Sequence, residues 1–286
     1  MSNPIIIIAR LTFQEAIRRR IVQAGLALGV LFLIIFSIGF HIFTGQIYPN
    51  ISGPTRRIMM TEGYNVLAEA GLYAVAFMAL AMGTLLSADT LAGEISSGTV
   101  HTLVSKPIRR GEIVFGKWLG IAGLVLCYLL VIGTGVIASV WAQTGYLVPN
   151  PAAGMFFIFL ECLVVMSVAM LCGSRLSALA TGGVVFGLYG IFFIGGWVEQ
   201  IGALMHNAGA ANAAVVNIGI VSSLIMPSEA MWRRAAYEMQ AAISGSFGFS
   251  PFGTASVPSL AMIIYTLLYL IGCVALAIRW FGKRDL

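Results

Sequence analysis

One segment of the sequence has part of the spacing of a phosphate-binding loop. Gly111, Gly116 and Lys117 fit the pattern of a glycine, four residues, a second glycine and a lysine. Such a loop also needs Ser or Thr after the lysine to ligate magnesium, and a β-strand before it. The next residue here is Trp118, which begins a long uncharged run. The segment is therefore not expected to bind a nucleotide, and we predict no ATP site in this chain.

The histidines do not indicate a metal site. His41, His101 and His206 lie far apart and have no acidic residue at ligand spacing. No serine-nucleophile motif occurs in the apolar runs either. We expect no catalytic residue, no metal and no bound cofactor in this chain, and we keep an intramembrane enzyme only as a second hypothesis.

Glu161 is an acid within an apolar run, about ten residues from either end of it, where burial of a charge costs about 2.5–3.5 kcal/mol. Such a residue needs a reason to be there. It can belong to a transport pathway or bind a proton, or it can be a protonated or hydrogen-bonded packing residue. Both interpretations stay open, and Glu161 is kept as a candidate pathway residue.

The composition indicates a protein embedded in a membrane. The 286 residues include 59% hydrophobic and only 9% charged residues, whereas soluble domains have about 25% charged residues. So little charge could not cover a soluble surface. The excess of basic residues lies at the ends of apolar runs, which is typical of membrane topology rather than of nucleic-acid binding. We predict a lipid bilayer, and no nucleic acid, as the partner of this surface.

Apolar runs without charges predict a single all-α transmembrane domain over 1–286, with about six spans of the length that a bilayer requires. The third and fourth come from one long run that turn residues around Pro149 divide. The predicted spans are 21–43, 70–88, 118–142, 152–173, 179–197 and 257–278.

The distribution of Lys and Arg predicts the orientation of these spans. With six spans, most basic residues outside the runs share the side of the two termini, which is therefore expected to be cytoplasmic in a plasma (inner) membrane. Residues 198–256 are then mostly extracytoplasmic. The part over 200–226 can be a seventh span, a re-entrant helix or an interfacial helix, and the sequence leaves this open.

Two helices are predicted to lie on the membrane surface. Residues 1–20 form a basic amphipathic helix that leads into the first span, which is typical of an interfacial helix on the cytoplasmic side. The second helix follows Pro227, where Met231 and Trp232 oppose Arg233 and Arg234. That helix is expected on the outer face.

The longest polar segment on the cytoplasmic side covers 89–117 and reads DTLAGEISSGTVHTLVSKPIRRGEIVFGK. It is too long for a simple turn between neighbouring helices. Ser96 or Ser97 can cap a short helix, which Lys106 and Pro107 would end. The segment is either an ordinary solvated loop or a short helix presented to a soluble partner.

This segment resembles one family. The run from Gly93 to Thr99, the run from Lys106 to Arg110, and Gly116 with Lys117 are similar to the loop after the second span in permease subunits of ABC-2 type transporters. The N-terminal helix is also similar to that of the family. Met226-Pro227-Ser228-Glu229 resembles an Asn-Pro-Ser/Thr element of the family before the last span, although Met226 replaces the usual asparagine.

The resemblance implies a function that no single motif gives. A member of this family is a transport permease that works as a dimer, either a homodimer or a heterodimer with a paralogue. A separate ABC ATPase, in two copies, would bind ATP and magnesium and dock on a coupling helix over 96–105 and on the N-terminal helix. The expected substrate is apolar or amphipathic. An integral-membrane enzyme or assembly factor with a docking loop is the alternative. The coupling residues implied are Glu94, Ser96, Gly98, Thr99, His101, Thr102, Lys106, Pro107, Arg109 and Arg110.

Overall fold

A computed structural model describes residues 3–46, 54–96, 109–207, 213–240 and 256–283. Within these ranges the regular elements are all helices. In chain order they are α1 (Pro4–Arg18), α2 (Arg20–Gln46), α3 (Pro54–Ser96), α4 (Arg110–Tyr128), α5 (Thr134–Thr144), α6 (Pro151–Gly173), α7 (Ala178–Asn207), α8 (Ala213–Ile225), α9 (Ser228–Met239) and α10 (Leu260–Gly282). One π-helical turn, Leu129–Gly133, joins α4 to α5 into a continuous rod.

Six segments of the described chain are long and apolar enough to cross a membrane, which confirms the predicted all-α polytopic architecture. They are Arg20–Gly45, Ile58–Gly93, Arg110–Thr144, Pro151–Gly173, Ala178–Gly202 and Leu260–Gly282. Several extend well beyond the uncharged runs. Helix α3, for example, continues through Glu69 and Asp89, because Asn65 donates a hydrogen bond to Glu69 over 2.7 Å and Arg19 pairs with Asp89. An acidic residue with a polar partner can therefore lie within a helix that continues beyond the uncharged run.

The turn between α5 and α6 lies where the sequence predicts it. Gly145 ends α5 in a left-handed conformation, φ 70°, and its N–H donates to the carbonyl of Trp141. A non-glycine residue would be strained there. Asn150 also has a positive φ of 39°, and Pro151 then begins α6, where its missing N–H costs nothing. The long uncharged run is thereby divided into two spans.

Helix α6 is the centre of the domain. Within its apolar window 72% of the residues are buried, against 11% for α2. Helices α3, α9 and α10 pack on α6, while α2 contacts mainly α3 and α5. A side chain at the middle of α6 therefore faces other helices rather than lipid, whereas α2 leaves a broad apolar surface exposed.

Three contacts define one side of the bundle, which we call the terminus side. Arg19 pairs with Asp89 near the end of α3. Arg110, at the start of α4, donates a hydrogen bond to the carbonyl of Gly282 over 3.2 Å. The guanidinium of Arg175 lies 4.2 Å from the centre of the Trp280 ring. The beginning of α4 and the ends of α3, α6 and α10 thus meet on this side.

Helices α8 and α9 form a helical hairpin at the end of the bundle away from the terminus side. Helix α8 has 13 residues, too few to span a bilayer, and it packs antiparallel to the end of α7. Near its tip, Tyr265 donates a hydrogen bond to the carbonyl of Leu224. Helix α9 then returns along α6, and Met239 packs over Gly154 near the start of that helix.

The expectation that α9 is an amphipathic helix with an exposed charged face is wrong, and its side of the membrane remains a prediction. Trp232 and Arg233 point in different directions from the helix axis, yet both are fully buried, and so are Ser228 and Glu229 at its start. The helix packs against α6 along its length. The pattern of charges suggested a surface helix because a one-dimensional sequence does not show that Arg233 has a buried acidic partner.

Candidate functional site

The predicted coupling segment is only partly within the described residues. Glu94 and Ser96 belong to the last turn of α3, which runs on to Ser96. Arg109 precedes α4 and Arg110 begins it. The segment 89–117 therefore starts and ends as extensions of two spans. The other predicted coupling residues lie outside the described residues, and their role stays a prediction: Gly98, Thr99, His101, Thr102, Lys106 and Pro107.

The start of α4 is fixed by two contacts. The Glu112 carboxylate accepts a hydrogen bond from the backbone N–H of Arg109 over 3.1 Å, which caps the first turn. The Arg110 side chain reaches the last turn of α10 at Gly282. A displacement of the chain before Arg109 would therefore act directly on α4 and α10.

Helix α1 packs on the same end of α4 through glycines. A Cβ on Gly116 would lie 2.8 Å from the Ile8 side chain, and one on Gly120 would lie 2.6 Å from the carbonyl oxygen of Ala9. Ile8 and Thr12 are buried in this contact. Two glycines four residues apart allow backbones to approach closely. Helix α1 exists as predicted, and its interfacial location remains a prediction.

Replacing Gly120 by Ala should loosen this contact, whereas replacing Gly123 should not. Both changes add the same helix propensity. The new methyl of Gly120→Ala meets a backbone carbonyl that no side-chain rotation can move, at a cost of about 1–3 kcal/mol. The nearest atom to a Cβ on Gly123 is 3.8 Å away, in Phe13. Thermal unfolding of the purified proteins checks this, and equal melting temperatures would contradict it.

Arg19, directly after α1, connects this helix to α3, the helix that leads into the predicted coupling segment. It ends α1 in an extended conformation, pairs with Glu15 over 2.6 Å and also pairs with Asp89. The N-terminal helix thus contacts α4 by packing and α3 by an ion pair. Both helices that enter the predicted coupling segment share one support on the terminus side.

Glu161 lies in the centre of α6 and is buried. The hydroxyl of Tyr189 on α7 donates a hydrogen bond to Glu161 Oε1 over 3.4 Å, while Oε2 accepts none from the described residues. Tyr73 on α3 packs edge-on against Trp232, with ring centres 4.6 Å apart, and lies close to Tyr189. A polar cluster therefore crosses from α3 through α7 to α9 in the interior of the domain.

A buried ion pair, which the sequence did not predict, completes this cluster. Arg233 on α9 contacts Glu199 on α7 with two hydrogen bonds, of 2.5 and 2.9 Å. Ser223 and Ser256 donate further hydrogen bonds to the same carboxylate. Each carboxylate oxygen of Glu199 therefore accepts two hydrogen bonds. Together these bonds hold the α8–α9 hairpin against α7.

Close backbone packing supports this ion pair. A Cβ on Gly219 of α8 would lie 2.2 Å from Glu199, and one on Gly195 of α7 would lie 1.9 Å from Ser222. Only glycine fits at either place without movement of a neighbouring helix.

Glu229 is a second carboxyl in the cluster that the sequence did not predict. It begins α9, is fully buried and contacts the position of Gly196 on α7. Burial raises the pKa of the Glu229 carboxyl to about 7, an effect that the charge of Arg233 reduces and that of Glu199 increases. At neutral pH a large fraction of Glu229 therefore carries a proton.

Six helices long and apolar enough to cross a membrane surround a buried polar centre, and this architecture is that of a polytopic membrane protein. The chain belongs to the ABC-2 family of transporter proteins, whose profile matches residues 6–286. It is therefore a membrane subunit of a transporter. One relative is a probable ABC transporter permease protein, NosY, from Stutzerimonas stutzeri, 36% identical over 81 residues. That match covers 28% of this chain and 28% of the relative.

Proposed function

We propose that this chain is the permease of an ABC transporter and that a separate ATPase docks on a coupling helix over 96–105 and on α1, and drives the permease. Membership in the ABC-2 family supports a permease in general. The docking site is proposed from one observation: α3 and α4, the helices on either side of this segment, both contact the N-terminal part of the chain. Asp89 of α3 pairs with Arg19, and Gly120 of α4 packs on α1.

This arrangement can convert a push on the segment into movement of the spans. Each flank is a rigid helix that continues directly into a span, so a force on 96–105 acts on α3 and α4 together. The Arg110 contact with Gly282 passes it to α10. Helices that move as rigid bodies are a common way of alternating access. ATP and magnesium would bind in the partner, two copies of which would serve two permeases.

The permease is proposed to act as a dimer in the plasma (inner) membrane, with both termini and the coupling segment in the cytoplasm. Helix α2 supports a dimer, because most of its apolar surface is not covered within one chain. The second copy is either this chain or a paralogue. The substrate is proposed to be apolar or amphipathic, since the exposed faces of the spans are apolar.

Binding of the ATPase to membrane vesicles of known orientation tests the function and the sidedness together. The tagged permease is first co-purified with a candidate ABC ATPase from the same organism, and ATP turnover is measured. The purified ATPase is then added to inside-out and right-side-out vesicles that contain the permease. We expect binding to inside-out vesicles only, with ATP turnover that depends on the permease.

Two results would contradict the proposal. Binding to right-side-out vesicles would place the segment on the other side of the membrane. No binding to either, together with an activity of the permease alone, would favour the integral-membrane enzyme or assembly factor.

A further inference from the structure

Two carboxyls in the interior of the domain have no cation of their own. Glu161 and Glu229 are each 2% exposed, and the charge of Glu229 acts on Glu161. The nearby cation is Arg233, which makes a two-bond ion pair with Glu199 instead. One Arg therefore faces three acids, and its charge is already compensated.

Each of the two carboxyls also keeps one oxygen without a hydrogen bond. Glu161 Oε2 and Glu229 Oε2 are both buried and accept nothing from the described residues. An ionised carboxylate in this position would lose its hydration without replacement, which strongly favours the neutral form. Two close carboxyls oppose each other's ionisation as well, as in paired-acid sites generally.

The backbone of α7 packs closely beside Glu229. A Cβ on Gly196 would lie 2.2 Å from Glu229 Cγ, so α7 and α9 are in tight contact there. Among the described residues no group of three His, Cys, Asp or Glu side chains could hold a metal ion. The titratable and charged groups that face the pair are Tyr73 of α3, Cys162 of α6, Tyr189 and Glu199 of α7, and Arg233 of α9.

We propose that Glu161 and Glu229 form a proton-binding site that holds the α8–α9 hairpin against the central helix. Glu161 belongs to α6, and Glu229 begins α9, the returning arm of the hairpin. With a proton bound, one carboxyl can donate a hydrogen bond and the pair loses one of its two charges. Without it, two negative charges face each other across the α6–α9 contact and push the helices apart. The site does not depend on the ATPase partner proposed above.

The direction of the pH effect follows from the two states of the chain. In the unfolded chain a glutamate ionises near its ordinary pKa of 4.5, whereas folded Glu229 stays protonated up to about pH 7. Between these values the folded state binds more protons, so the free energy of unfolding falls as the pH rises and levels off above the folded pKa. We expect the melting temperature to fall by about 5–10 °C between about pH 5 and pH 8.

Infrared spectroscopy and thermal unfolding of the purified full chain test the site. At neutral pH the wild type should show a protonated-carboxyl C=O band that shifts in D2O and that is lost in the Glu161→Gln/Glu229→Gln double variant. The same variant should lose the part of the pH dependence of the melting temperature that the pair contributes. Glu238→Gln is the matched control, since it alters a carboxyl on the same helix that is paired with Arg234 and should leave both signals unchanged.

Three results would overturn the proposal. The first is that the wild type and the double variant have the same protonated-carboxyl band at neutral pH. This comparison does not need either protein to be stable at high pH. The second is a pH dependence of melting that is the same in wild type and double variant. The third is a rise of the wild-type melting temperature with sodium, potassium or a divalent cation at fixed pH that the double variant lacks, because the site would then bind a cation.

Discussion

Replacing Arg233 by Met should destabilise the protein by about 3–5 kcal/mol. The change leaves the Glu199 carboxylate buried between α7 and α9 without a cation, and only Ser223 and Ser256 continue to donate to it. The α8–α9 hairpin also loses its two-bond connection to α7. We expect a large fall in the yield of folded protein and in the melting temperature, measured in detergent by thermal unfolding and size-exclusion chromatography.

The neighbouring arginine provides the control. Arg234 pairs with Glu238 one turn later on the same helix, and both side chains remain partly exposed. Since such pairs contribute about 0.3–0.5 kcal/mol, Arg234→Met should lower stability only slightly. Adding Glu199→Gln to Arg233→Met removes the uncompensated charge and should recover part of the loss. If the double variant is no more stable than Arg233→Met, the buried charge is not the cause.

Replacing Thr102 by Pro should abolish coupling between the ATPase and the permease. Position 102 lies in the predicted coupling helix, outside the described residues. A proline there would remove a helical hydrogen bond and clash with the preceding turn, at a local cost of about 3 kcal/mol. The spans are held by contacts among α3, α4, α6 and α10 that do not involve this segment. The variant should therefore insert and reach normal abundance, yet lose ATPase binding or permease-dependent ATP turnover.

A change on the opposite side of the membrane separates this effect from general damage. Arg56 and Arg57 lie in the first turn of α3, remote from the terminus side, and their replacement by Ala should leave ATPase binding intact. Full transport by the Thr102→Pro protein would show that 96–105 is not the coupling element. Docking would then be assigned to α1 instead.

The six spans could be predicted because hydropathy reports a local cost. Every backbone polar group in the hydrocarbon must be bonded within its own helix, and a charged side chain is expensive there, so uncharged apolar runs mark the spans. The uncharged runs misplaced only the ends of some spans. Glu69, Asp89 and Glu199 stopped the predicted runs, although the helices continue through them because each acid has a partner.

The polar centre of the domain depended on tertiary structure. The sequence singled out Glu161 because an acid in an apolar run is unusual, but Glu199 and Glu229 lie at run boundaries where acids are common. Arg233 is 34 residues from Glu199 in sequence, and neither residue indicates the other. The same separation explains why α9 looked like a surface helix: its charges match an amphipathic pattern, and only the packing shows that they are satisfied inside.

What the sequence determined by itself was therefore the class of protein, its spans and the family loop, all of which follow from composition and from residues close together in the chain. The tertiary structure decided which helix faces meet. Gly195 and Gly219 allow α7 and α8 to approach closely, and this approach helps to bring Glu199 to Arg233. Such pairings depend on the rotation and depth of each helix within the bundle, and these are set by side-chain packing between distant segments rather than by the hydropathy of any one of them.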